Sequence, residues 1–80
     1  MKYVYILQSE VEPGHFYVGI TDDLQARLSK HNAGDVSHTS KYRPWRIKTY
    51  IAFTVEKNAF EFEKYLKSGS GRAFIKKHFC

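Results

Sequence analysis

Residues 17–31 read Tyr17-Val18-Gly19-Ile20-Thr21-Asp22-Asp23-Leu24-Gln25-Ala26-Arg27-Leu28-Ser29-Lys30-His31. They describe a short strand that breaks at Gly19 and passes through a capped turn into a helix. Strand parity puts Val18 and Ile20 on one face and Tyr17, Gly19 and Thr21 on the other. Asp22 is the expected N-cap, with Gln25 three residues later completing a capping box. With Leu24 as zero on a helical wheel, Leu28, Arg27 and His31 fall at roughly +40°, −60° and −20°. An arginine and a histidine four apart therefore border the apolar seam instead of open water. Both are aimed back at a tyrosine-bearing strand, and charge held beside a buried stripe suits catalysis.

Working outward, Tyr3-Val4-Tyr5-Ile6-Leu7 has strand composition, with Tyr3, Tyr5 and Leu7 on one face and Val4 and Ile6 on the other. Pro13-Gly14 marks a turn, so this strand and residues 16–21 are expected to pair as an antiparallel hairpin. The first helix should stop at Asn32 or Ala33, with Gly34 as its left-handed C-cap. Residues 35–44 show no period and read as a loop. Pro44 bars Arg43 from helix, and residues 46–53 form a third strand with Ile47, Ile51 and Phe53 on one side. Residues 54–67 form the second helix, because Val55, Ala59, Phe62 and Leu66 recur at helical spacing. Ser68-Gly69-Ser70-Gly71 ends it and caps a short third helix, residues 72–79. Phe74, Ile75 and His78 should face inward there, with Lys76 and Lys77 outward. The order β-β-α-β-α-α describes an α+β fold: a small three-stranded antiparallel sheet flanked by helices.

Eighty residues suit a single domain, 1–80. There is no apolar run long enough to span a membrane and no signal-peptide layout at the start. The one cysteine, Cys80, cannot form an internal disulfide, which suits a reducing, cytoplasmic location. The net charge of +5 is one-sided. Residues 1–40 hold three basic and five acidic side chains, a net of −2, and residues 41–80 hold ten and three, a net of +7. Such an excess suits a polyanion such as nucleic acid, and equally a solvated basic face.

The second helix discriminates between its glutamates. With Ala59 as zero, Glu63 lies at roughly +40°, beside the core stripe, and Glu61 at roughly 200°, in solvent. A carboxylate at the seam costs desolvation unless a cation satisfies it. That cation is Arg27, in a salt bridge joining two helices, or a hard metal ion such as Mg²⁺. Tyr5 and Tyr17 have the parity to share a face. Each alone is ordinarily core packing, and His31 alone is ordinarily a helix-end residue facing the dipole. Together with Arg27 and Glu63 they supply what phosphodiester hydrolysis requires: a cation for the phosphate, a carboxylate for an electrophilic metal and a proton acceptor.

Tyr3-Val4-Tyr5 followed by Tyr17-Val18-Gly19, an arginine, a histidine and a helical glutamate resembles the GIY-YIG nuclease superfamily. The resemblance covers nearly the whole chain and is nearest to small stand-alone bacterial members related to the excision-repair incision endonuclease. Residues 65–74 also look typical of that subgroup. The resemblance implies that Tyr5 and Tyr17 are the motif tyrosines, that Arg27 contacts the scissile phosphate, and that Glu63 binds a single Mg²⁺ or Mn²⁺. His31 matches a histidine found in some members. Two departures stand out: the first motif keeps only its final tyrosine, and Ile20 occupies the position where repair nucleases carry lysine.

The resemblance implies a metal-dependent endonuclease acting on DNA, or alternatively RNA, with a role in DNA repair. The general base is left open between Tyr17 and His31; tyrosine ordinarily titrates near about 10 and histidine near about 6.5. Lys41, Arg43, Arg46, Lys48 and Arg72 are the candidates for holding backbone phosphates, which gives affinity without base readout. The alternatives are a nucleic-acid-binding module without turnover, and a catalytic subunit that needs a protein partner for targeting.

Overall fold

The computed structural model describes residues 1–79, so Cys80 and the expectations about it lie outside the described residues. The strands are β1 (Lys2–Ser9), β2 (Phe16–Thr21) and β3 (Trp45–Phe53), and the helices α1 (Leu24–Asn32), α2 (Glu56–Leu66) and α3 (Gly69–His78). The sheet is antiparallel in the order β2-β1-β3, so β1, the most continuously apolar strand, lies in the middle. Both its faces are covered. Val4 and Ile6 pack with Val18, Ala59, Leu66 and Ile75 beneath α2 and α3. Tyr5 and Leu7 pack with Trp45, Leu24 and Leu28 beneath α1. The expected hairpin, the faces of β1 and β2 and the element order all hold.

The local boundaries differ in instructive ways. Asp23, not Asp22, caps α1: its side chain accepts from the Ala26 amide at 3.1 Å. The Thr21 hydroxyl accepts from the Asp23 amide at 3.1 Å and fixes that turn, leaving Asp22 to pair with Lys2 at 2.9 Å. At the other end Gly34 adopts φ +82°, and its amide and that of Asp35 bond back to His31 and Lys30, closing the helix as expected.

In β3, Leu7 pairs with Ile47 while Ile6 pairs with Thr49, so Lys48 is an extra residue in a bulge. The bulge reverses parity. Ile47 joins the α1 side and Phe53 the α2–α3 side, where unbroken alternation put them together. Helix α2 starts after Val55, which is its exposed N-cap residue and not part of the core stripe. Helix α3 starts at Gly69, earlier than expected, because the Ser68 hydroxyl accepts from the Gly71 amide at 3.1 Å. His78 is exposed and not inward-facing, its ring lying 4.7 Å from that of Phe74. The expected loop contains one 3₁₀ turn, Ser40–Tyr42.

Candidate active site

The site begins with a gap. Gly19 on β2 lies opposite Tyr5 on β1, and a Cβ at Gly19 would overlap the Tyr5 ring and hydroxyl. Tyr5 therefore lies across the strand where any larger residue would stand. Helix α1 then delivers Arg27 and His31, one turn apart, to the same hydroxyl. Arg27 Nε donates to Tyr5 Oη at 3.4 Å, and Tyr5 Oη lies 3.0 Å from His31 Nε2. On the far side of the ring, His31 Nδ1 is 2.7 Å from Thr39 Oγ1, and the Thr39 hydroxyl donates to the Val36 carbonyl at 3.3 Å.

One proton arrangement gives every donor in this chain an acceptor. The Tyr5 hydroxyl donates to Nε2, and Nδ1–H donates to Thr39. Among the described residues no buried side-chain polar atom is left without a partner. The electrostatics agree with that arrangement. His31 is completely buried, and burial, helped by the nearby Arg27 charge, lowers its pKa to about 4. It is thus a neutral acceptor near pH 7. Burial raises the pKa of Tyr5 despite the opposing Arg27 hydrogen bond, keeping it a neutral donor. The same hydrogen bond raises the pKa of Arg27.

Tyr17 completes the cluster, its ring 5.0 Å from that of His31 and 6.5 Å from that of Tyr5. Unlike Tyr5 it is only half-buried. Glu63 reaches the cluster from α2 through Lys67. Lys67 Nζ lies 2.7 Å from Glu63 Oε2 and 5.7 Å from the Tyr17 ring centroid. The Glu63 charge is also close enough to help raise the pKa of Tyr5. The side chain of Glu63 is 17% exposed, whereas that of Glu61 is 65% exposed and lies 3.9 Å from Lys57. The wheel therefore separates the two glutamates correctly, but the Arg27–Glu63 bridge does not form; the partner of Glu63 is Lys67.

The five residues expected to hold phosphates do not form one surface. Arg46 donates to Gln8 Oε1 at 2.8 Å, Arg43 packs against Gly34, and Lys41 lies 5.7 Å over the Tyr42 ring. Lys48 is exposed in the bulge. All four belong to β3 or the loop before it, across the sheet from β2. Arg72 instead lines a groove of about 490 Å³ that also reaches Tyr17.

Sequence reasoning missed Thr39 and Lys67. Lys67 stands four residues after Glu63, a spacing that makes an ion pair on one helical face, and could have been found. Thr39 sits in an aperiodic polar loop and gives no such signal. The loop is held there by tertiary contacts: Trp45 Nε1 donates to the Thr39 carbonyl at 2.8 Å, and Asn32 Nδ2 donates to the Trp45 carbonyl at 3.0 Å.

A metal would have few donors here. Among the described residues no group of three or more His, Cys, Asp or Glu side chains stands together. A single carboxylate, Glu63, fits a hard cation that retains most of its waters. The oxygen concerned is already positioned by a cation, the ammonium of Lys67.

The model of the GIY-YIG catalytic domain matches residues 1–77. The chain belongs to this family. Its fold is that of the UPF0213 protein from Bacillus halodurans, solved by solution NMR. The two are 30% identical, with a TM-score of 0.57 over 96% of this chain and 84% of that one. The UPF0213 protein of Cupriavidus pinatubonensis is 33% identical over 94% of this chain and 86% of its own length. The structure-specific endonuclease subunit SLX1 of Scheffersomyces stipitis is 40% identical over 67 residues, 75% of this chain but 20% of that protein. The chain thus spans about a fifth of the length of the SLX1 relatives it matches. Family membership makes it a catalytic domain of the GIY-YIG type.

Proposed function

We propose that this domain hydrolyses phosphodiester bonds in DNA with one divalent cation, Mg²⁺ or Mn²⁺, held by Glu63. The observation that carries the reading is the hydrogen-bonded chain Arg27–Tyr5–His31–Thr39 standing beside the more accessible Tyr17. Its buried end is uncharged, and its open end presents a guanidinium and a phenol. Arg27, oriented by Tyr5, neutralises the non-bridging oxygens of the scissile phosphate. Tyr17 accepts the proton of the attacking water. His31 is a positioning residue: buried, engaged at both nitrogens and weakly basic, it fixes Tyr5 and through it Arg27. When bound, the metal ion polarises the phosphate and stabilises the departing oxygen. The SLX1 relatives, named as structure-specific endonuclease subunits, support a role on repair-type DNA structures and a second reading in which cutting requires a partner chain.

The test is a cleavage assay on single-stranded, duplex, flapped and branched DNA, with matching RNA, in Mg²⁺, Mn²⁺ or EDTA. Cutting should need the metal, disappear in Tyr17→Phe and persist at a reduced rate in His31→Ala. Cutting by Tyr17→Phe, with a rate that follows one group titrating near neutrality and lost in His31→Ala, would move the proton acceptor to His31. DNA binding without cutting, unrelieved by cell extract, would leave only a binding module.

A further inference from the structure

The groove beside Tyr17 is not needed to explain bond hydrolysis, yet its lining is specific. It runs from the start of β2, at Gly14 and Phe16, along the end of α2 and the inner face of α3. Lys67, Arg72 and Lys76 stand on it; Lys67 is paired with Glu63 at 2.7 Å, and no carboxylate lines the groove itself. Arg72 and Lys76 are one turn apart on α3, with the buried Ile75 between them forming part of the wall. Phe16 and Tyr17, both half-buried, lie along its β2 side.

From this arrangement we infer that the groove between β2 and α3 binds an unpaired segment of nucleic acid adjoining the scissile phosphate. The inference rests on the proposed function and specifies where the substrate strand runs. Two cations without a carboxylate partner, Arg72 and Lys76, complement a phosphate backbone. The apolar wall and the two aromatic edges complement base faces. A duplex cannot satisfy both, because its base faces are stacked inside and only backbone and groove edges are offered outward. An unpaired strand offers phosphate and base together, and stacking on such surfaces accepts any base. The cations of β3 stand apart from this groove, since β3 is the other edge of the sheet.

The test measures binding by fluorescence anisotropy in EDTA, which separates it from cutting. The probes are a blunt DNA duplex and the same duplex with about four unpaired nucleotides at one end. The full chain should bind the overhang duplex about tenfold more tightly than the blunt one. The double variant Arg72→Glu/Lys76→Glu should erase that preference, and Arg46→Glu/Lys48→Glu should retain it. Gly14 gives an independent variant, because a Cβ there meets no atom within 4 Å. Gly14→Glu, which adds a carboxylate to the groove, should also erase the preference, whereas Gly14→Gln should keep it. Equal affinity of the full chain for the two duplexes, or loss of preference in the β3 variant only, overturns the inference. Cleavage is scored separately in Mg²⁺. Groove-dependent preference without any cutting removes the hydrolytic reading and leaves this one standing. Cutting with a preference indifferent to the groove variants does the reverse.

Discussion

His31 makes its contribution by staying uncharged, and that has a measurable consequence for stability. Its pKa is about 4 in the folded chain, against about 6.5 unfolded. Above the unfolded value the imidazole is neutral in both states, and folding carries no protonation penalty. As pH falls from about 6.5 toward 4, the unfolded chain takes up a proton that the folded chain refuses, and stability drops. The loss approaches about 3 kcal/mol and levels off below the folded value. Thermal melts from about pH 7.5 to 4 should therefore fall more steeply for the natural chain than for His31→Gln, which cannot titrate. Parallel curves would show that His31 charges freely when folded. A second single-residue comparison concerns the glutamates. Glu63→Gln should lose metal-dependent cutting at nearly unchanged melting temperature, and Glu61→Gln, on the solvated face beside Lys57, should cut normally. The placement of Tyr5, Tyr17, Arg27, His31 and Glu63 was readable from period, because each sits in a regular element whose geometry fixes its direction, whereas their roles rest on the family resemblance. Asp22 and Asp23 were not separable, since either can cap and only the Thr21 bond and the Lys2 ion pair decide. Thr39 was unreadable, being placed by contacts with Trp45 and His31 that no local period marks.

Among the elements, the β1–β2 pair does the positioning, and Gly19 is where it is most exposed to change. An added methyl group meets the ring and hydroxyl of Tyr5, a side chain buried to 2% exposure. The ring cannot swing away without breaking its hydrogen bonds to Arg27 and His31. Gly19→Ala should cost about 1–3 kcal/mol in a thermal melt. It should lower cutting further than that loss of folded protein explains, because the guanidinium moves with Tyr5. Full activity at reduced stability would mean that Tyr5 relaxes within its pocket and does not orient Arg27. The elements themselves were visible in the sequence because β1 has strand composition and apolar residues keep helical period in α1 and α2. The failure in β3 has a clear cause. A bulge at Lys48 inserts one residue, and every side chain beyond it changes face. Lys48 is an ordinary exposed residue with no local mark of the insertion. The pairing of Leu7 with Ile47 decides the register, and that is information held between strands.

For the molecule as a whole, the excess of positive charge in the second half of the chain is divided between the two edges of the sheet. The β3 side carries Lys41, Arg43, Arg46 and Lys48, and the β2 side carries Lys67, Arg72 and Lys76 near Tyr17. Sequence composition gave the sign of the partner but could not say which edge it meets, because Arg72 and Lys76 join β2 only through the packing of α3. The proposed substrate path uses Arg27, Arg72 and Lys76, Lys67 being paired with Glu63, so about three cations meet phosphate. Each neutralised phosphate on a single strand contributes about −0.7 to the slope of log affinity against log salt, giving roughly −2 in total. Affinity for an unpaired oligonucleotide should then fall roughly twentyfold between about 50 and 200 mM salt. Replacing Arg72 with alanine should make the slope shallower by about 0.7, whatever the base sequence of the probe. Replacing Arg46 with alanine should leave it unchanged, since that guanidinium stands on the β3 edge, bonded to Gln8 of the neighbouring strand. A slope altered by Arg46→Ala and indifferent to Arg72→Ala would place the strand along β3 and make the groove beside Tyr17 a bystander.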